Sequence, residues 1–490
     1  MNKNEKEVYS CMTWAFAERT ASQAVSIVVA IVLARFLAPE LFGVISIVTV
    51  LIAICDVFVI AGLGNALVQK KDADELDFSS ILIFSFALSL FIYLIAYLSA
   101  KPIADFYEMP ELNPVIKIMA LRLPVASINS VQHAYVSRGM KFKLLFYVTL
   151  VGVFVSGVIG VFMAIWGYGV YSLVAQFMLN MIIDTILLLI VLKKTIRLKF
   201  SYSRLKKLLP FGLSIMLSEL ASTFGSNVRT MVIGKGFPAA QLAFYAKGNQ
   251  FSTVLVSNVN SSLGRVLFPA LVKQQDFDEA AQLSTRILQT SLFLLTPLLI
   301  LIYVCADPLV KILYNAQWLG MIPYVQVLAL SFILIPIQTT SLQRIMAAGK
   351  GRIYLIIQIS KISIGLLLMF GAVIWFDDAI FVAYSTLLSS VVNTIIHFCA
   401  NKRLFDQTIS SQLNEVSRIA IINTLLVCLL LLLTPIDSMP ILSLSVKLIL
   451  GLVLYIVLCE CLNSPVYPQL KRLSINIVKA KFCSNQTVGI

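Results

Sequence analysis

Eleven ionisable side chains stand inside stretches otherwise too apolar for water: Glu18, Arg19, Asp56, Lys117, Arg122, Asp184, Glu219, Arg229, Arg265, Lys361 and Lys447. At bilayer depth each such group costs at least a few kcal/mol, so it faces an aqueous cavity or a partner. Seven of the eleven are cations and four are acids. An excess of buried positive charge invites an anionic substrate, and a guanidinium offers paired donors that match phosphate oxygens. At 1.5 Å per residue, Arg122 and Lys361 lie roughly 14 Å from their helix ends, near the midplane, and Arg229 roughly 9 Å in. These three lead a candidate cationic cavity for substrate, with Arg19 and Lys117 behind them. A salt bridge that only positions helices is the alternative for each. Asp56, Asp184 and Glu219 are candidates for carrying a coupling proton or cation, and capping or pairing with a nearby Arg explains Asp56 and Asp184 equally well. Glu18 reads as a local partner beside Arg19. Lys117, Arg265 and Lys447 lie near enough to helix ends to snorkel, and His133 and His397 read as solvated residues near inner helix ends.

Other chemistry is not visible. No Gly-rich phosphate cradle carries its Lys and Ser/Thr, so nothing resembles an ATP-hydrolysing domain. No His or Cys cluster has metal spacing, no cofactor is expected, and no outer loop is long enough for a catalytic domain. The eight Cys, Cys459 and Cys461 among them, read as small packing residues without a disulfide framework. The chain therefore reads as a transporter, not an enzyme, powered by a gradient, by downhill removal of its substrate or by a partner.

The elements that hold these charges follow from hydropathy. Of 490 residues, 59% are hydrophobic and 13% charged, and mean hydropathy is +0.91. An ordinary soluble domain is about half apolar and a quarter charged. Lipid forces each segment to pair its own backbone, and the alternation of a membrane β-barrel is absent, so the expectation is an all-α polytopic membrane protein. Fourteen apolar runs of crossing length occur, at roughly 12–35, 41–66, 78–100, 113–136, 145–167, 169–192, 210–234, 243–272, 287–310, 322–343, 353–376, 379–400, 418–436 and 440–462. With the N-terminus inside, 26 of the 38 Lys and Arg fall on the inner side and five on the outer. A miscounted span would invert that bias, so both termini are expected in the cytoplasm. The net charge of +14 thus reports orientation rather than nucleic acid. The start, MNKNEKEVYS, is polar, and no cleavable signal peptide is expected; the first span is its own insertion signal.

One sentence of the sequence is said twice. Val32–Val44 reads VLARFLAPELFGV and Val232–Tyr245 reads VIGKGFPAAQLAFY. In each an apolar run ends on a basic residue, Arg35 or Lys235, a Pro-containing turn follows, and a second apolar run begins. A repeat at that distance suggests two copies of one membrane unit. The basic stretch Lys193–Lys207 separates them and anchors to the inner side or to anionic headgroups. The expected organisation is a first six-helix lobe at 1–192, a basic cytoplasmic linker at 193–209, and a second six-helix lobe at 210–402. Two further helices occupy 403–465, and 466–490 is a cytoplasmic tail.

The runs LARFLAPELFGVISIVTV (33–50), IAGLGNALVQKKD (60–72), RGMKFK (138–143), VIGKGFPAAQLAFYAKGNQF (232–251) and ADPLVKILYNAQWLGMIPYVQVLAL (306–330) together resemble the polysaccharide transporter family. This is the oligosaccharide flippase branch of the multidrug, oligosaccharidyl-lipid and polysaccharide exporter superfamily, which includes O-antigen and colanic-acid exporters. The resemblance implies two six-helix lobes around a central cavity plus two C-terminal helices. It also implies a bacterial cytoplasmic (inner) membrane protein moving undecaprenyl-diphosphate-linked oligosaccharide repeat units between leaflets, for O-antigen, capsule or exopolysaccharide. Its partners would be that lipid-linked oligosaccharide, membrane lipids, and a polysaccharide polymerase with its chain-length regulator. After Asn227-Val228, where relatives often carry an Asp, this chain has Arg229, which weakens a coupling role there and favours a grip on sugar acid or diphosphate. A peptidoglycan-precursor flippase and a cation-coupled multidrug exporter share the superfamily; the latter would want an acidic cavity. A membrane-embedded polymerase or glycosyltransferase would want a larger outer loop.

Overall fold

The structure is a computed structural model that describes residues 3–61, 64, 67, 70, 72–192, 199–273, 277–432, 439–462 and 466–468. Among the described residues the regular structure is helical throughout. In the first half the helices are α1 (Lys3–Phe36), α2 (Pro39–Asp56), α3 (Glu75–Tyr107), α4 (Leu112–Ala120), α5 (Arg122–Arg138), α6 (Phe142–Ile165), α7 (Val170–Leu192) and α8 (Tyr202–Gly236). A π-helical turn, Val57–Ala61, continues α2. In the second half they are α9 (Ala239–Lys273), α10 (Phe277–Val304), α11 (Ala306–Leu313), α12 (Ile322–Phe332), α13 (Ile335–Ala347), α14 (Gly351–Trp375), α15 (Ile380–Phe405), α16 (Ile409–Leu431) and α17 (Pro440–Cys461).

Twelve stretches among the described residues are long and apolar enough to cross a membrane, so this is a multi-pass membrane protein. Helix α9 occupies the stretch expected for an eighth crossing, and α16, with its shorter apolar run Val416–Leu431, the stretch expected for a thirteenth. The count of fourteen is thus an expectation that twelve stretches meet. Local signals set the boundaries. Prolines in the first turn open α2, α12, α13 and α17, where a missing N–H costs little. Asp74 caps α3 in a reciprocal box with Asp77, and left-handed residues Glu108 and Asp406 end α3 and α15.

The chain forms two compact units, 1–243 and 244–490, the division falling just inside α9. In the first, α6 lies along α1 and α7, α3 packs on α4 and α5, and α8 packs on α2 and α3. The segment entering α8 is fastened there by hydrogen bonds from Lys199 N–H to Ser79 Oγ (2.9 Å) and from Ser201 N–H to Ser80 Oγ (3.0 Å). Leu205 and Leu208 then join a buried cluster with Leu67, Phe78, Ile81, Val131 and Ala134. The lobe boundaries at 192/193 and 209/210, read from the repeat, stand as a proposal beside this division. In the second unit, α15 packs on α12, α13 and α14, while α10 packs on α12 and α16, and α17 on α11 and α16.

The two copies of the repeated sentence form the same corner. Helix α1 stops at Phe36 and α2 starts at Pro39; α8 stops at Gly236 and α9 starts at Ala239. At each, one more helical bond is made past the end, Leu37 N–H to Leu33 O (2.9 Å) and Phe237 N–H to Ile233 O (3.0 Å). The corners touch one another. A Cβ on Gly43 would lie 2.1 Å from the carbonyl oxygen of Ala239, and one on Gly234 would lie 2.9 Å from Cδ1 of Ile47. At Gly43 the close neighbour is backbone, and only glycine allows that approach.

Candidate functional site

One intramembrane polar group lies in the first unit, around Asp184. Asp184 on α7 is 8% exposed. Its Oδ2 accepts from Asn129 Nδ2 at 2.6 Å and from His133 Nε2 at 2.8 Å, both on α5, and its Oδ1 accepts from Thr149 Oγ1 of α6 at 3.5 Å. Glu18 of α1 lies beside Thr149 and in charge contact with His133, Asp184 and Arg19. Asn129 and His133 are four residues apart and so share a helix face. Gly152 lets α6 approach Asn180 of α7, one turn before Asp184. The group thus brings two carboxylates and an imidazole together from α1, α5 and α7. Among the described residues no group of three His, Cys, Asp or Glu is placed to hold a metal ion.

Arg122 and Asp56, read as a substrate cation and a coupling acid, are brought together. The α4–α5 break at Leu121 aims Arg122 at the C-terminus of α2, where Nη2 meets Asp56 Oδ2 at 3.2 Å. Asp56 sits directly before the π-helical turn, a helical irregularity frequent at functional sites. The buried Nε of Arg122 and Oδ1 of Asp56 have no partner among the described residues. The pair uses one of the two parallel bonds that guanidinium and carboxylate can form.

The other candidates are dispersed. Arg229, on α8, is half-buried, its Nε lacks a partner, and it has no ion pair among the described residues. Glu219 on the same helix is exposed, Arg19 is exposed on α1, and Lys117 of α4 holds its ammonium 4.7 Å above the Tyr97 ring. Lys361 lies half-buried on α14 in the second unit, where its charge reaches His397. Arg265 is in α9 with its side chain outside the described residues.

Four expectations change. His133 is not simply solvated, because it bonds Asp184. His397 is fully buried at the α13–α15 contact. Its Nδ1 meets Ser341 Oγ at 3.1 Å, Ser341 donates to Asn401 Oδ1 at 3.0 Å, and Asn401 donates to Gln412 Oε1 at 3.1 Å. Lys447 does not snorkel: it is 1% exposed where α17 packs on α11 and α16, and it has a partner there. Glu18 serves the Asp184 cluster as well as Arg19. Sequence reading missed Asn129, His133, Thr149 and Glu18 as one group, although the polar i, i+4 pair Asn129 and His133 in a membrane helix was a usable signal.

The profile of a family described as "Polysaccharide biosynthesis protein" matches residues 32–323, a range that opens at the first corner and includes the second. The chain belongs to that family. It is 25% identical over 351 residues to the succinoglycan biosynthesis transport protein ExoT of Rhizobium meliloti (strain 1021), covering 71% of each chain. It is 26% identical over 354 residues to the teichuronic acid biosynthesis protein TuaB of Bacillus subtilis (strain 168), covering 68% of this chain and 70% of that one. Among solved structures, the lipid II flippase MurJ in an inward closed conformation has a TM-score of 0.68 at 13% identity, covering 94% of this chain and 99% of MurJ. That likeness shows a shared fold. The expectation drawn from the five sequence runs, a polysaccharide transporter with this all-helical architecture, therefore holds.

Proposed function

We propose that the protein is a flippase. It moves undecaprenyl-diphosphate-linked oligosaccharide repeat units from the inner to the outer leaflet of the bacterial cytoplasmic membrane, for O-antigen, capsule or exopolysaccharide assembly. Both termini face the cytoplasm. The observation that carries the reading is Arg229, a half-buried intramembrane cation with no ion pair among the described residues, in a family whose relatives include a polysaccharide transport protein. An uncompensated guanidinium at that depth is costly unless an anion visits it. A diphosphate head bearing sugars cannot cross hydrocarbon unaided, whereas its polyprenyl tail stays in lipid.

In this reading Arg229, Arg122 and Lys361 hold the anionic head, with Arg19 and Lys117 along its route, and the halves of the chain expose the site to each side in turn. The head competes with Asp56 for Arg122, whose single bond to that carboxylate leaves a donor to spare. Asp184, shared with His133 and Glu18, is the group suited to carry a coupling proton; Asp56 and Glu219 are the other candidates. The protein catalyses no covalent step, and a polymerase with its chain-length regulator takes the product on the outer side.

The test is depletion in cells, followed by identification of the lipid-linked intermediate that accumulates inside. Accumulated sugar repeat units support the reading, and accumulated peptidoglycan precursor gives the function to the other flippase class. Neutral replacement of Arg122, Arg229 and Lys361 together abolishes export at normal protein levels. Export that survives this replacement removes the assignment of those residues. A drug exporter of the same superfamily is disfavoured by the excess of cations over acids.

A further inference from the structure

Helices α3, α5 and α7 enclose a cavity of about 680 Å³ that none of the transport residues lines. Its walls are apolar side chains, with Gln132 and Tyr135 of α5 and Glu75 at one rim as the polar exceptions. Along α3 it runs from Glu75 to Leu90, fifteen residue steps or about 22 Å at the helical rise. One leaflet of hydrocarbon is about 15 Å deep. The space is therefore a slot along the membrane normal, starting at the basic end of the bundle and as deep as a lipid leaflet. Phe86, Leu90 and Leu189 on its lip are 38%, 46% and 52% exposed, so it opens sideways, where the surroundings are lipid chains.

The head end of the slot is specific in charge. Phe78 and Val131 line the slot and also pack with Leu205 and Leu208, which brings the segment 199–208 to its mouth. There Asp74 is paired with Arg204 at 3.1 Å, Asp77 with Lys70, and Glu75 is also engaged. Lys199, Lys206 and Lys207 remain exposed, with no ion pair among the described residues, beside the exposed rings of Phe200 and Tyr202. Basic residues with aromatic neighbours at a membrane surface fit anionic headgroups.

We propose that the slot binds one anionic phospholipid of the cytoplasmic leaflet. One acyl chain lies between α3, α5 and α7, and the phosphate rests on Lys199, Lys206 and Lys207. The occupant is a resident lipid rather than cargo. Its head stays at the surface, whereas a transported head must reach Arg122 and Arg229, deep in the membrane. The site joins the segment entering α8 to α3, so an occupied slot fastens α8 against α3.

The experiment uses the full chain carrying Leu189→Trp, a reporter at the exposed lip, in bilayers mixing a zwitterionic with an anionic phospholipid, either one brominated. The difference from the parent protein isolates the introduced indole. Brominated phosphatidylglycerol should quench it more than brominated phosphatidylcholine at equal mole fraction, by roughly five-fold in relative affinity per cation engaged. Lys199→Gln with Lys206→Gln and Lys207→Gln should bring the preference to unity while quenching by both lipids persists. Ala87→Trp, which fills the slot from an exposed position, should weaken protection of the folded protein by phosphatidylglycerol in a thermal assay. Equal quenching by the two lipids, or a preference unchanged in the triple variant, overturns the proposal. So does relief of quenching by polyprenyl diphosphate added at far below the phospholipid concentration, which would give the slot to the transported lipid.

Discussion

Asp184 accepts hydrogen bonds from three side chains on two other helices, and the penalty for removing it is the penalty for what it leaves behind. Asp184→Ala leaves Asn129, His133 and Thr149, all half-buried, without this partner, and a half-buried group costs less than the about 1–3 kcal/mol of a buried unpaired one. A clear fall in melting temperature of the purified protein is expected. In Asp184→Asn the size is kept and one oxygen acceptor is replaced by a donor facing the Asn129 amide, so a smaller fall is expected. Arg122 and Asp56 pose a different problem, since each neutralises the other. Arg122→Ala and Asp56→Ala should both destabilise, and the double variant should cost less than their sum, by a coupling of about 1–3 kcal/mol. Additive effects in that thermal cycle would mean that the pair is not a unit.

Between helices, the contacts that matter are at corners and ends. At the repeated corner, Gly43→Ala drives a methyl into the Ala239 carbonyl, an overpacking of about 1–3 kcal/mol. Gly225→Ala within α8 meets nothing within 4 Å and should instead stabilise, by about 0.5–1 kcal/mol. Parallel melting curves of the two variants check both signs. At the end of the bundle opposite residues 70–77, Lys235 of α8 donates to Glu108 at the end of α3 at 2.7 Å, and that bond holds the Glu108 carboxyl below the usual range for a glutamate. A carboxyl depressed in the folded state contributes stability above its ordinary pKa, about 4.3, and loses it as pH falls through the lowered value. The difference in melting temperature between the protein and Glu108→Gln should therefore be present at neutral pH and vanish in acid. The bridge is exposed and salt-screened, so 1 M salt should shrink the same difference.

For the molecule in its membrane, the energetics turn on charge. A head bearing two negative charges that leaves a cell negative inside gains about 5 kcal/mol at 100 mV, if no cation travels with it. In proteoliposomes, export of lipid-linked repeat units should accelerate when a potassium gradient with valinomycin makes the interior negative, and slow when the polarity is reversed. Indifference to the potential would mean that the head is neutralised during transit.

The membrane-spanning stretches, their number to within two, and the repeated corner were legible in the amino-acid order. Hydropathy and charge bias act along the chain over spans of about twenty residues, and the Pro39 and Pro238 turns are local steric facts. Tertiary structure decided which charges meet. Asp56 and Arg122 are 66 positions apart and Glu18 and Asp184 are 166 apart, and no local rule joins them. His397 and Lys447 read as residues at the edge of the membrane until neighbouring helices covered them. Single-chain hydropathy measures a helix against lipid and water, whereas the environment of a buried polar group is set by the helices packed beside it.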